Sequence, residues 1–165
     1  MFHRILVGID DSAAAKGALQ RAVELVEAGH GRLGLLSSAP MPPPLAAAGP
    51  VVLPVSRAQL ESQLVEWAEN NVEEAARLVP EEIPVTKLVK RGRAGRALLR
   101  EARTGCWDLV IVGQAERRFR PVFARVGEWL NQRSPTPVLV VHEEPTGTSV
   151  PRKKGRRRRT QVRTA

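Results

Sequence analysis

The stretch DLVIVGQAERRFRPVFARVGEW, residues 108–129, decides how the chain is read. Four apolar residues, 109–112, run straight into Gly113, as a buried parallel strand does when it ends at a phosphate-binding turn. Farther on, Val122, Phe123, Val126, Trp129 and Leu130 fall at helical spacing and predict a helix with one apolar face. Small residues between strand and helix would let a phosphate approach the backbone. The chain instead offers Gln114, Glu116, Arg117, Arg118, Phe119 and Arg120. The stretch therefore has the frame of a nucleotide-binding unit and a bulky, charged loop inside it.

Outward from this stretch, short apolar runs alternate with helical patterns. RILVGI, residues 4–9, predicts a buried strand. Asp11 or Ser12 then caps a helix with an apolar face of Ala15, Ala18, Leu19, Ala22, Val23 and Val26, and Gly29 stops it. A second strand is expected over residues 32–38. Ser56 and Gln59 have capping-box spacing and open a long helix whose apolar residues are Leu60, Leu64, Trp67, Ala68, Ala75 and Leu78, with Trp67 as core filling. Pro80 bounds that helix. Residues 85–90 give a third strand, a short helix carries Ala97, Leu98 and Ala102, residues 108–113 give the fourth strand, and residues 136–142 give a fifth. The order βαβαβαβαβ predicts an α/β fold: a five-stranded parallel, doubly wound sheet with helices on both faces.

Length and composition set the limits. The 165 residues are one domain with something appended. Residues 1–143 form the domain. Within it, residues 39–55 make a Pro- and Ala-rich loop, uncharged and expected to be mobile, whose six prolines rule out a membrane-spanning helix. No other segment reads as a transmembrane or targeting stretch. The single cysteine, Cys106, cannot pair within the chain, which fits a cytoplasmic protein. The net charge of +9 is unevenly placed: residues 145–165 hold eight Lys or Arg and no acid, so the rest of the chain is nearly neutral. Residues 144–165 are expected to be a disordered basic tail. Arg152, Lys153, Lys154, Arg156, Arg157, Arg158 and Arg159 form its dense part, a segment suited to non-specific contact with nucleic acid or another polyanion. No aromatic interleaves them, so base stacking is not indicated.

In a doubly wound sheet a ligand sits beyond the carboxyl ends of the strands, where strand order reverses. Asp10 follows the first strand and Gly113 ends the fourth. If those strands are neighbours, the two residues face one crevice. The carboxylate can accept from ribose hydroxyls or an adenine amine, and the glycine lets backbone amides approach a phosphate. The alternative is that both serve the fold, Asp10 in a turn or cap and Gly113 in a tight turn.

Taken together, ILVGIDDS, KLVKRGRAGRALLREA, DLVIVG and VGEWLNQRSPTPVLVV resemble the universal stress protein family over residues 3–143. The resemblance implies strand order 3-2-1-4-5 and a homodimer formed through the fifth strand. It also implies a nucleotide cleft that in some members binds ATP with Mg²⁺. Those binders carry a glycine, two residues, a second glycine, nine residues, then glycine and Ser or Thr. Gly113 matches the first glycine, Glu116 stands at the second, and the last pair is missing in either alignment, one of which places Arg125 there. The nucleotide-binding candidates are Asp10, Gly113 and Gln114, with Arg117 or Arg125 at the phosphates because their charge could attract an anion; the preferred reading of these arginines is a solvated loop face that pairs with Glu116 or Glu128.

Other chemistry is sparse. His3, His30 and His142 have no metal-ligand spacing with one another or with Cys106. Ser37 and Ser38 close the second strand, but no serine has a nucleophile-elbow frame. Lys90, Arg91, Arg93 and Arg96 make a second basic cluster, read as a solvent-facing turn. No catalytic constellation appears. The expectation is a non-catalytic regulatory or interaction module of the stress response with a degenerate ATP site. An adenine-nucleotide binder and a protein tied to nucleic acid by its tail are the competing readings.

Overall fold

A computed structural model of the chain describes residues 2–42, 56–114 and 126–142. Its elements run β1 (Arg4–Gly8), α1 (Ala13–Glu27), β2 (Arg32–Ala39), α2 (Arg57–Arg77), β3 (Val85–Arg91), α3 (Ala94–Thr104), β4 (Leu109–Gln114), α4 (Val126–Asn131) and β5 (Val138–His142). The five strands form one sheet in the order β3-β2-β1-β4-β5, and every pair is parallel. Both the α/β architecture and the strand order match the sequence reading. The 39–55 loop from Pro43 on, the loop carrying Glu116 and Arg117, the predicted helix positions Val122 and Phe123, and the basic tail lie outside the described residues.

The topology puts one helix pair on each face. Ile5, Val7, Leu33, Leu35, Leu109 and Ile111 pack toward α1 and α2. Leu6, Leu36, Val110 and Val112 pack toward α3 and α4, together with Leu98 and Leu130. Because β1, β2 and β4 are covered on both sides, their sequences are continuous apolar runs rather than alternating ones. Two glycines permit close packing. Gly34 in β2 lies under the Trp107 indole, and any side chain there would overlap the ring. Gly113 in β4 abuts the backbone of Ala14, so a side chain there would run into the first turn of α1.

Asp108 ties the amino ends of the two central strands together. It accepts hydrogen bonds from the backbone N–H groups of His3 (3.1 Å) and Arg4 (2.9 Å) and pairs with the Arg4 guanidinium at 3.2 Å. Burial pushes its pKa up, but the His3 and Arg4 hydrogen bonds and the Arg4 charge outweigh that and hold the carboxyl below its ordinary value.

α2 departs from the expected pattern. It is 21 residues long, about 31 Å, while the eight residues of β2 span about 26 Å. Its fully buried residues are confined to Ala68, Asn71, Val72 and Ala75. Trp67 is only half-buried, and Leu78 is 63 % exposed rather than part of the core. The helix ends at Leu78, and the chain beyond it turns so that Val79 and Ile83 take the inward positions.

Candidate ligand site at the end of the first strand

The site begins where β1 stops. The Ile9 N–H still donates to the Leu36 carbonyl at 2.8 Å, and Asp10 is the first residue free of the sheet. Asp10 is 5 % exposed. Its Oδ1 accepts from both the backbone N–H of Ser12 (3.0 Å) and the Ser12 hydroxyl. Ser12 in turn caps α1: its backbone is extended and its Oγ accepts from the Ala15 N–H at 3.1 Å. Of the two cap candidates, Ser12 holds the position and Asp11 is exposed. The local fold thus uses one carboxylate oxygen of Asp10. The other, Oδ2, is buried and has no hydrogen-bond partner among the described residues.

Asp10 lines a cavity of about 340 Å³ between α1 and α2. The opening has a topological cause. α1 packs mainly on β1, β4 and β5, while α2 packs on β2 and β3, so the two helices on this face scarcely meet. The apolar lining comes from Ile9, Ala15, Leu19 and Ala75. Asp11, Lys16, Glu74 and Arg77 supply charge of both signs around it, with the exposed Leu78 beside Arg77. This is the size and mixed character of a small-molecule pocket.

Asn71 also lines the cavity, and sequence reasoning missed it. It is 9 % exposed, and its side-chain nitrogen has no partner among the described residues. A buried amide left in that state costs about 1–3 kcal/mol. The signal was available: Leu60, Leu64, Trp67, Asn71, Ala75 and Leu78 follow one another at steps of three or four, so Asn71 is the polar residue set in an apolar stripe. Ser37, at the end of β2, is likewise fully buried with its hydroxyl unpartnered among the described residues.

The other sequence candidates fall elsewhere. β1 and β4 are neighbours, Gly8 pairing with Val112, so the condition for a shared crevice is met. Yet Gly113 and Gln114 do not line the cavity. The α1 backbone at Ala14 sits against Gly113, and Gln114 pairs in register with His142. Packing against α1 therefore accounts for a glycine at 113 without any phosphate. Arg117 and Arg125, and the tail residues Arg152 to Arg159, lie outside the described residues.

The second basic cluster is a built turn. Gly92 has φ +107, its N–H donates to the Ala39 carbonyl at 2.8 Å, and its carbonyl accepts from the Ser38 hydroxyl at 2.6 Å. Lys90 pairs with Glu101 at 3.6 Å, and Arg93 precedes α3 without a side-chain capping bond. His3 Nδ1 lies 2.9 Å from the Gly29 carbonyl, a bond the Nδ1–H tautomer donates. Cys106 is exposed in a left-handed conformation with φ +55. Among the described residues no three His, Cys, Asp or Glu side chains are grouped to hold a metal, and no helix is long and apolar enough to cross a membrane.

Comparison with known proteins follows the same lines. No curated protein sequence matches the chain. Solved structures do. One from Burkholderia pseudomallei, of the universal stress protein family, is 22 % identical with a TM-score of 0.66, covering 85 % of this chain and 96 % of its own. An Arabidopsis thaliana family protein with AMP bound is 14 % identical with a TM-score of 0.53, covering 87 % and 93 %. A universal stress protein in complex with cAMP is 19 % identical with a TM-score of 0.52, covering 86 % and 97 %. At these identities the likeness shows the fold. The sequence model of the universal stress protein family matches residues 1–142, all but the basic end, and the chain belongs to that family.

Proposed function

We propose that this protein is a non-catalytic regulatory module whose cavity takes the nucleoside end of an adenine nucleotide while its triphosphate contacts are weakened. The observation that carries this reading is Asp10: a carboxylate nine-tenths buried at a cavity of about 340 Å³, with one oxygen spent on the α1 cap and the other unused among the described residues. That unused oxygen is suited to accept from a ribose hydroxyl or an exocyclic amine. Relatives crystallised with AMP and with cAMP support an adenine ligand. The weakened phosphate end is supported by Glu116, which stands where ATP-binding relatives have their second glycine. A carboxylate about 4 Å from a phosphate opposes it by about 4 kcal/mol at an effective dielectric near 20.

Several expectations from the sequence belong to this reading. Residues 1–143 act as the folded body and residues 144–165 as its basic extension. Two copies pair through β5, an edge strand whose Val138, Leu139, Val140 and Val141 are only half-buried and whose open edge needs covering. Cytoplasmic placement accords with the lone cysteine.

The test is a titration of the full chain with adenosine, AMP, cAMP and Mg·ATP, followed by calorimetry and thermal melting. Adenosine and AMP should bind saturably, with ATP within about threefold of AMP, and Asp10→Asn should weaken all of them. A melting temperature unmoved by millimolar ligand removes the adenine reading, because a bound ligand must raise stability. ATP binding tenfold or more above AMP removes the weakened phosphate end.

A further inference from the structure

Asn71 is the one polar residue that α2 buries against the rest of the protein, among Ala68, Val72 and Ala75. Leucine would fill such a position without leaving an amide nitrogen unpartnered. Asn71 lines the cavity together with Asp10, whose Oδ2 is likewise buried and unpartnered among the described residues. The two residues come from different elements, α2 and the end of β1, and the described residues give them no hydrogen bond to each other. A molecule in that cavity would border one residue that bears an amide and one that bears a carboxylate. With no bond fixing its nitrogen among the described residues, the amide can turn about its broad last torsion to present either edge to the cavity.

We infer that Asn71 is a specificity-determining residue that reads the base, selecting a 6-amino purine over a 6-oxo purine; this rests on the adenine reading proposed above. The chemistry is that of an amide against a purine edge. Adenine presents N7 as an acceptor beside N6–H as a donor, and a carboxamide satisfies both at once, its nitrogen donating to N7 and its oxygen accepting from N6–H. Hypoxanthine and guanine present two acceptors on that edge, N7 and O6. An amide has one donating end, so one of its two bonds is lost and its oxygen faces another oxygen. Asp10 is left for the ribose hydroxyls, which both kinds of nucleoside share, so it contributes affinity without discrimination.

The experiment compares AMP with IMP, and adenosine with inosine, on the full chain by calorimetry, for wild type, Asn71→Leu, Asn71→Asp and Asp10→Asn. Wild type should prefer the 6-amino member of each pair by about tenfold or more. Asn71→Leu should bring the ratio to near one, and Asn71→Asp should lower it by removing the donor to N7. Asp10→Asn should weaken both members while preserving the ratio. Melting of the free proteins gives a readout that a merely structural amide would move the other way: Asn71→Leu should melt at or above wild type, since it replaces an unpartnered buried amide with an apolar group.

The two proposals fail separately. If AMP binds, depends on Asp10, and keeps its preference over IMP in Asn71→Leu, the role of Asn71 is refuted and the adenine reading stands. If Asn71→Leu melts well below wild type and the ratio is unchanged, the amide is structural. If wild type binds neither AMP nor IMP, both proposals fall together.

Discussion

Gly113 shows how one residue type can answer two different physical demands. The strand–glycine sequence at residues 109–113 is what a phosphate site requires, yet the geometry supplies a sufficient reason of another kind: the Ala14 carbonyl carbon and oxygen occupy the space a side chain would need. Gly113→Ala should therefore destabilise the free protein by about 1–3 kcal/mol, because the obstacle is helix backbone rather than a flexible side chain. Thermal melting in the absence of ligand should show a drop of roughly 5 °C or more. A glycine retained for phosphate approach alone would predict the reverse, a normally stable variant with impaired binding. Sequence could place Asp10 and Gly113 at neighbouring strand ends, because strand periodicity and order fix that. It could not tell that α1 closes over Gly113 and opens beside Asp10, since that depends on how far apart two helices settle on the sheet. Asn71 escaped for a related reason: reading a helix for its apolar residues passes over the polar one that shares their stripe.

The elements themselves were legible wherever pattern and packing agree. The Ser56–Gln59 capping box forms with both of its bonds, and the continuous apolar runs become the strands covered on both faces. The reading failed at the end of α2, where Leu78 follows helical spacing but the helix has stopped and Val79 takes the inward position instead. A contact invisible to periodicity joins two elements at their starts: Asp108 accepts from the backbone N–H groups of His3, just before β1, and of Arg4, its first residue, and pairs with the Arg4 side chain. Its folded pKa lies below the ordinary carboxylate value, so the ionised form favours folding. That contribution is complete above the unfolded-state pKa, near 4, and is lost as pH falls through the lower folded value. Asp108→Asn keeps an amide oxygen for the two backbone N–H groups but removes the charge that strengthens those bonds, and should cost about 1–2 kcal/mol at pH 7, with little of it from the Arg4 pair because Arg4 is more than a third exposed and its charge is screened. Urea melts at pH 7 and near pH 3 should show the gap between wild type and variant narrowing at the lower pH. A gap of constant size across that range would mean that the carboxylate charge contributes nothing.

For the whole molecule, the charge distribution sets two parts of the chain against each other. Residues 145–165 carry eight of the 26 basic residues and none of the 17 acidic ones, so a nearly neutral body is joined to a strongly cationic end. Seven of the eight positions 152–159 are Lys or Arg, with Gly155 the only break and no aromatic or large aliphatic side chain among them. Such a segment attracts phosphate backbones by releasing condensed counterions, which makes its affinity steeply salt-dependent and indifferent to base sequence. If all seven charges engage duplex DNA, the logarithm of the binding constant should fall against the logarithm of salt concentration with a slope of about −6. Removing residues 151–165 should abolish this binding and leave AMP titration unchanged, because Asp10 and the other described residues that line the cavity between α1 and α2 all come from residues 9–78. Fluorescence anisotropy with duplexes of two unrelated sequences, at several salt concentrations, measures slope and selectivity together. A truncated body that binds duplex as tightly as the full chain would transfer the interaction to the body. A shallow slope with strong preference for one duplex would replace charge attraction with base readout.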